Sequence, residues 1–354
     1  MPTLDTKALM QFICDIFTAI GTSKPDARIM ADMLVTCDLM GIPSHGIMRV
    51  PQYVNESKTG LVKPDRELVV LRQTGTVTIL DGRWSLGQVS ATRATQMAID
   101  NAKQHGLTSI ILRGCRHVGR AGAFTQMAAE QDCVAMAACS CGNEGHWVAP
   151  FGGRNGRLGT NPISFAAPTE GRPIVMDFST SIAPEGKVRF FRDSGQPLPE
   201  SWLVSDRGQH SRDPNDLYGP SGEAAGAILP FGDRQGYKSF GLGLMVQILA
   251  AALGEPIWQS TGIERNTNGF WLLVMDIGAF GPADAFRADI QSMIEYVRSS
   301  ALDAQSESIL MPGQREFELM EQRQREGIPI DGKIWELICQ TAEQVGISRI
   351  QKNI

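Results

Sequence analysis

The chain has 354 residues, 42% of them hydrophobic and 20% charged, and Lys+Arg 33 against Asp+Glu 38 leave a net charge of −5. At about 150 residues per domain this length predicts two domains with a core that needs no staples, and the acidic balance argues against a nucleic-acid binder that neutralises phosphates. No apolar run reaches the roughly 18 residues that span a bilayer, and residues 1–7 mix acid and base instead of reading as a secretory leader.

Residues 8–20 place Leu9, Phe12, Ile13, Ile16, Phe17 and Ile20 at helical spacing before Gly21. A second helix runs from Lys24-Pro25-Asp26 to about Met40, with Pro in its first turn and Gly41 just past its end. After the turn Pro43-Ser44-His45-Gly46 a short helix is expected from Ile47. Residues 68–71 and 76–80 predict a hairpin around Thr74-Gly75. A helix over 85–104, a strand over 107–112, a helix over 122–131 and a strand over 134–138 suggest a β–α–β core. Buried strands follow at 163–166 and 174–176, in a stretch dense with Gly and Pro. Residues 192–235 have little periodicity and read as a long ordered excursion. An apolar helix over 237–253, a strand over 270–275 and helices over 283–298, 316–326 and 333–344 complete the chain.

Histidines are scarce, at five, and glycines plentiful, at 37. His45, Arg49 and Tyr53 are four apart, so in a helix they share one face. A titrating imidazole, a guanidinium that matches a carboxylate and a phenol suit an anionic substrate with a carbonyl or hydroxyl. The same spacing also fits a helix start with an exposed polar face. His117 follows a strand and precedes a helix, where α/β proteins place sites. It is equally read as an exposed loop histidine between Arg116 and Arg120.

Residues 150–162 are glycine-rich and carry Arg154 and Arg157, but they match neither G-x-G-x-x-G nor a P-loop, and tight turns explain them. Asp177, with Ser179, Thr180 and Ser181 after it, closes a strand and suits ribose hydroxyls or a turn cap. Lys238 at a helix start opposes the macrodipole unless an anion sits there. Pro312-Gly313-Gln314 reads as a turn. The seven cysteines form no disulfide or CxxC framework, which points to a reducing cytoplasm. Cys139, Cys141 and His146 lack a fourth metal ligand, so no metal is expected.

Taken together, SHGIMRVPQY at 44–53, HVGRAG at 117–122, APFGGRNGRLGTNPISFAAP at 149–168, MDFSTSIAPEGK at 176–187, GYKSFGLGL at 236–244 and LMPGQREFE at 310–318 resemble the type 2 malate/L-lactate dehydrogenase family. This family includes ureidoglycolate, diketogulonate and sulfolactate dehydrogenase relatives. The tail QRQREGIPID at 322–331 is most similar to the hydroxycarboxylate dehydrogenase B branch. The resemblance implies an α/β fold with a non-Rossmann NAD(P)-binding sheet flanked by helices. Residues 1–66 with 282–354 would form a mainly helical domain from the two chain ends, and residues 67–281 the NAD(P)-binding α/β domain. It implies hydride transfer between NAD or NADP and a 2-oxo or 2-hydroxy carboxylate, in a homodimer or higher homo-oligomer. The near alternative is reduction of a cyclic imino acid of the piperideine or pyrroline-2-carboxylate type.

By the same resemblance, His117 and His45 are the acid/base candidates, with His117 favoured. Arg49 clamps the substrate carboxylate with Ser44 and Tyr53 beside it, and Glu144 and His146 sit where substrate contacts are expected. Thr160, Asn161, Asp177, Phe178, Ser179, Lys238, Ser239, Gly313, Gln314 and Arg315 fall on cofactor segments. Residues 139–147, CSCGNEGHW, depart from the shorter small-residue stretch of many relatives and leave the substrate open.

Overall fold

The computed structural model describes residues 3–142, 145–254 and 267–349. The chain opens with β1 (Thr3–Leu4), α1 (Thr6–Ala19) and α2 (Lys24–Leu39). Asp5 caps α1 by accepting from Ala8 N at 2.9 Å. Pro25 sits in the first turn of α2 behind the Ser23 cap. The predicted third helix is α3 (Val50–Lys58), preceded by two separate 3-10 turns, Pro43–His45 and Ile47–Arg49.

The central elements are β2 (Val69–Thr74), β3 (Val77–Asp81), α4 (Gly87–His105), β4 (Leu107–Cys115), α5 (Gly122–Ala129), β5 (Cys133–Cys141), β6 (Ile163–Ala167) and β7 (Ile174–Phe178). Next come α6 (Glu185–Asp193), β8 (Leu203–Val204), β9 (His210–Ser211), β10 (Ala227–Ile228), α7 (Gly236–Gln247) and β11 (Asn268–Asp276). The chain ends with α8 (Ala283–Arg298), α9 (Gln314–Glu326), β12 (Ile328–Pro329) and α10 (Gly332–Glu343).

A seven-stranded mixed sheet runs in the order β2-β3-β4-β11-β5-β6-β7. Among the described strands of this sheet only β3 and β4 pair parallel, joined by α4, and this is the β–α–β unit. The predicted unit one step later is corrected: β4 and β5 are not neighbours, because the apolar strand β11 lies between them, antiparallel to both. Alternation sorts the faces. Ala135, Ala137 and Cys139 of β5 join α4 and α5 on one side, while Ala138 meets Val246 and Ala250 on the other.

A second core unites the two chain ends. Leu9, Ile13, Ile16 and Phe17 of α1 pack with Met30 and Leu34 of α2, Phe317 of α9 and Trp335 and Ile338 of α10. Each such aliphatic or aromatic side chain stabilises by roughly 1.5–3 kcal/mol when fully buried. The excursion at 192–235 is ordered around a small core of its own with Val188, Leu198, Trp202, Leu203 and Leu217. Apolar spacing predicts no helix at 185–193, because α6 buries only Val188. α8 buries only Ile294, and Met293, Tyr296 and Val297 on it are exposed.

Candidate active site

The loop after α2 is held from beneath by Asp38. Its carboxylate accepts from Ile47 N at 2.7 Å, and a Cβ at position 46 would collide with that carboxylate, so the loop needs Gly46. Burial pushes the Asp38 carboxyl up to about 7, against the Ile47 N–H and Arg323, which favour its charge. Along this loop Arg49 Nε donates to Ser44 O at 2.7 Å and Arg49 Nη1 to Gln52 Oε1 at 2.9 Å. Ser44 Oγ lies 3.0 Å from His45 Nδ1.

His117 enters from the end of β4. A Cβ on Gly87 would strike the carbonyls of Arg116 and His117, so the start of α4 packs directly on this backbone. Asn268 Oδ1 accepts from Val118 N at 2.9 Å and fixes the other side. The imidazoles of His45 and His117 stack with centroids 5.5 Å apart. The Tyr53 hydroxyl is 2.7 Å from His117 Nδ1, and Gln88 Nε2 donates to that hydroxyl at 2.8 Å. The phenol oxygen has room to accept from both Gln88 Nε2 and an Nδ1–H, and in that tautomer Nε2 is the unprotonated nitrogen left for reaction.

Both histidines are held in the neutral form. Burial and then the positive charge of Arg49 draw His45 down to about 4 and His117 well below the usual imidazole range. The predicted shared helix face is corrected: His45, Arg49 and Tyr53 sit in three successive short elements, and the loop fold collects them. Tyr53 is buried behind His117 and does not line the cleft.

The cleft has two compartments that share Ser44, His45, Gly119, Thr160, Pro162 and Pro184. One, of about 410 Å³, is lined by Arg49, Arg116, His117, Cys141, Trp147, Glu185 and Arg189 among others. The other, of about 600 Å³, carries Arg120, Asp177, Phe178, Ser179, Gly313 and Arg315. In it Asp177 accepts from Gly122 N at 2.7 Å and lies 3.6 Å from Arg120 Nε. Burial raises the Asp177 pKa, and the Arg120 charge opposes the shift. Gly313 takes φ +87°, and a Cβ there would sit 3.0 Å from Val175 O, so this turn docks tightly on β7.

Other predicted residues lie elsewhere. Asn161 is buried and donates to Gly243 O at 2.9 Å and Gln247 Oε1 at 3.1 Å, tying the entry of β6 to α7. Ser239 is buried and its hydroxyl donates to Phe231 O, while Lys238 is exposed; neither lines the cleft. Gln314 Oε1 accepts from Arg298 Nη2 and Met311 N, behind the Gly313 turn. His146 flanks the substrate-side wall between Gly145 and Trp147 but is not part of it, and burial lowers its pKa. Glu144 lies outside the described residues. A larger cavity of about 680 Å³, near Phe151 and Arg234, holds none of the predicted site residues.

Sequence reasoning missed Gln88, Glu56, Glu185, Arg189 and Asn268. No local motif marks them, and the Arg116–Glu56 ion pair at 2.8 Å joins residues 60 apart.

A family model described as malate/L-lactate dehydrogenase matches residues 4–339. A malate dehydrogenase of Pyrococcus horikoshii is 35% identical over 347 residues, covering 96% of this chain and 94% of its own. Hydroxycarboxylate dehydrogenase B of Escherichia coli is 31% identical over 349 residues, covering 97% and 94%. The solved structure of malate dehydrogenase from Pyrococcus horikoshii OT3 superposes with a TM-score of 0.87 at 32% identity, covering 98% of this chain and 97% of that one. The chain belongs to the malate/L-lactate dehydrogenase family and is a hydroxyacid dehydrogenase by descent.

Proposed function

We propose that this family member interconverts a 2-oxo acid and a 2-hydroxy acid at the junction of the two compartments, with His117 moving the proton and Arg49 holding the carboxylate. The observation that carries this reading is the stacked His45–His117 pair, with Arg49 lining the same compartment. The larger compartment suits a nicotinamide dinucleotide by its donor set. Arg120 and Arg315 offer charge to a pyrophosphate, Asp177, Ser179 and Thr160 suit ribose hydroxyls, and the Gly313 turn admits close approach. NAD or NADP would be held there without a Rossmann fingerprint. When bound, the nicotinamide supplies or accepts the hydride.

The rest is done by this chain. Arg49 fixes the carboxylate and so the face of the α-carbon. A carboxylate on Arg49 also cancels part of the positive field that keeps the histidines neutral, so His117 takes up a proton more readily with substrate in place. Nε2 then gives the proton to the carbonyl oxygen in reduction and takes it back in oxidation. Tyr53 and Gln88 hold Nδ1 and with it the ring, which makes them positioning residues. We favour His117 over His45 because this chain of buried partners stands behind it, whereas among the described residues His45 has Ser44 alone on Nδ1.

The shared core of α1, α2, α9 and α10 supports a helical unit from residues 1–66 and 282–354 set on an α/β unit of 67–281. The exposed apolar face of α8 supports a homodimer or higher homo-oligomer.

The test is a kinetic panel with NADH and NADPH over 2-oxo acids and cyclic imino acids. His117→Asn is expected to lower turnover on 2-oxo acids by about 10²–10⁴. Near-normal turnover in that variant, with loss in His45→Asn, would transfer the role to His45. Turnover of cyclic imines alone would move the reading to C=N reduction.

A further inference from the structure

Three arginines line the substrate compartment, and they differ in what neutralises them. Arg116 is paired with Glu56 at 2.8 Å, and Glu56 also accepts from Gln52 Nε2 at 3.0 Å. Arg189 donates to Glu185 three times, at 3.0, 2.9 and 2.9 Å. Arg49 donates only to a carbonyl and an amide oxygen, and among the described residues no carboxylate pairs with it. Both histidines are neutral. The lining therefore presents one uncompensated positive charge, enough for the one carboxylate the reaction requires.

The second pair is built in. Glu185 is 12% exposed by side chain and also accepts from the Tyr218 hydroxyl at 2.9 Å. Tyr218 is itself fixed between Trp147, at 5.7 Å, and the Arg192 guanidinium, at 4.2 Å from its ring. α6 also abuts Arg49, since a Cβ on Gly186 would lie 3.2 Å from Arg49 Nη2, so the pair stands on the wall beside the carboxylate clamp. The remaining wall is neutral. Trp147, Cys139, Cys141, Pro162 and Pro184 line it, burial pushes the Cys141 thiol up to about 12, and both ends of the Asn268 amide are spent on Val118 N and Ser140 O. The volume of about 410 Å³ lies within the range of pockets that hold ligands larger than a three-carbon acid.

We infer that the substrate is a 2-oxo or 2-hydroxy monocarboxylate with a neutral side chain of several heavy atoms, and that Glu185 excludes a second carboxylate by occupying Arg189. This deepens the hydride-transfer reading and rests on it. A dicarboxylate would set its distal group against Glu185, and like charges placed together in a partly desolvated site are strongly disfavoured.

The experiment measures kcat/KM for 2-oxopentanoate and 2-oxoglutarate, equal in carbon number and different by one carboxylate, in the wild type and in Glu185→Gln. The wild type is expected to favour 2-oxopentanoate by about 10-fold or more, and Glu185→Gln to shift the ratio toward 2-oxoglutarate by about 10-fold. Adding Arg189→Met to Glu185→Gln should erase that shift. A wild-type preference for 2-oxoglutarate overturns the inference and needs no variant. A ratio unchanged in folded Glu185→Gln also overturns it, even if both rates fall together. Turnover of no 2-oxo acid at all overturns the 2-oxo acid reading on which this inference rests, and this inference with it.

Discussion

The smaller compartment of the cleft is made of charged side chains drawn from distant parts of the chain, whereas the walls of the larger one are tied to each other through main-chain N–H groups. In the smaller, Arg49 comes from the loop before α3, His117 and Arg116 follow β4, and Glu185 and Arg189 stand on α6. Their state is set by burial and by one another's charge. In the larger, main-chain bonds hold the shape: Val175 N donates to Pro312 O at 3.0 Å and Thr180 N to Thr160 O at 3.0 Å, and Gly122 N binds Asp177. The contrast implies that lesions in the first compartment change charge and pH behaviour, and lesions in the second change fit.

The sharpest test of that contrast is Arg49→Met. Loss of a charged partner for the substrate carboxylate in a partly desolvated site costs about 2–5 kcal/mol, so kcat/KM should fall by a factor between about 30 and about 4000 while the KM for the nicotinamide nucleotide stays near the wild-type value. A loss shared equally by both KM values would show that the compartments are not independent. On the other side, Gly313→Ala places a Cβ at φ +87° and 3.0 Å from Val175 O. The left-handed conformation alone costs an L-residue roughly 1–2 kcal/mol. The expected result is a KM for the nucleotide raised by about 10-fold, with the pH profile unmoved. A displaced pH profile in that variant would break the division.

The same contrast explains what could be read from the sequence. The helices that form the second core were legible because Leu9, Phe12, Ile13, Ile16 and Phe17 repeat at helical spacing, and the strands around 107–115 and 133–141 because each holds a short apolar run, Ile110–Leu112 and Cys133–Cys139. The position of β11 between them was not, since strand order depends on pairings more than a hundred residues apart. At the site, His45, Arg49 and His117 stood out as reactive types in short motifs. The side on which Tyr53 works did not, because the chain leaves helical geometry at Gly46, and a four-residue spacing then no longer means a shared face. Glu185 and Arg189 were hidden for another reason: α6 buries one side chain and shows no apolar stripe. Lys238 illustrates the reverse error, a charge conspicuous in sequence that stands exposed, away from the cleft.

The smallest expected effect is a displacement of a pH limb, and it separates burial from charge. In the oxidative direction the base must be neutral, so kcat/KM stays level as pH falls until it passes the free enzyme's histidine pKa. His117 lies well below 6.5 and His45 at about 4, so the acid limb should appear below pH 6.5. Burial is the larger cause and persists in every variant, whereas the Arg49 contribution is removed when a carboxylate binds there. The limb in kcat should therefore lie at higher pH than the limb in kcat/KM. Arg49→Met should raise the kcat/KM limb toward 6.5 and close the gap between the two. The lowered pKa also has a stability consequence of definite sign: the unfolded chain binds protons first, so the histidines' contribution to stability is present above about pH 6.5 and is lost as pH falls through the folded-state values. Rate profiles over this range check the first statement and melting curves the second. A wild-type kcat/KM limb at or above 6.5 would mean that the proton is carried by a group outside the His45–His117 pair.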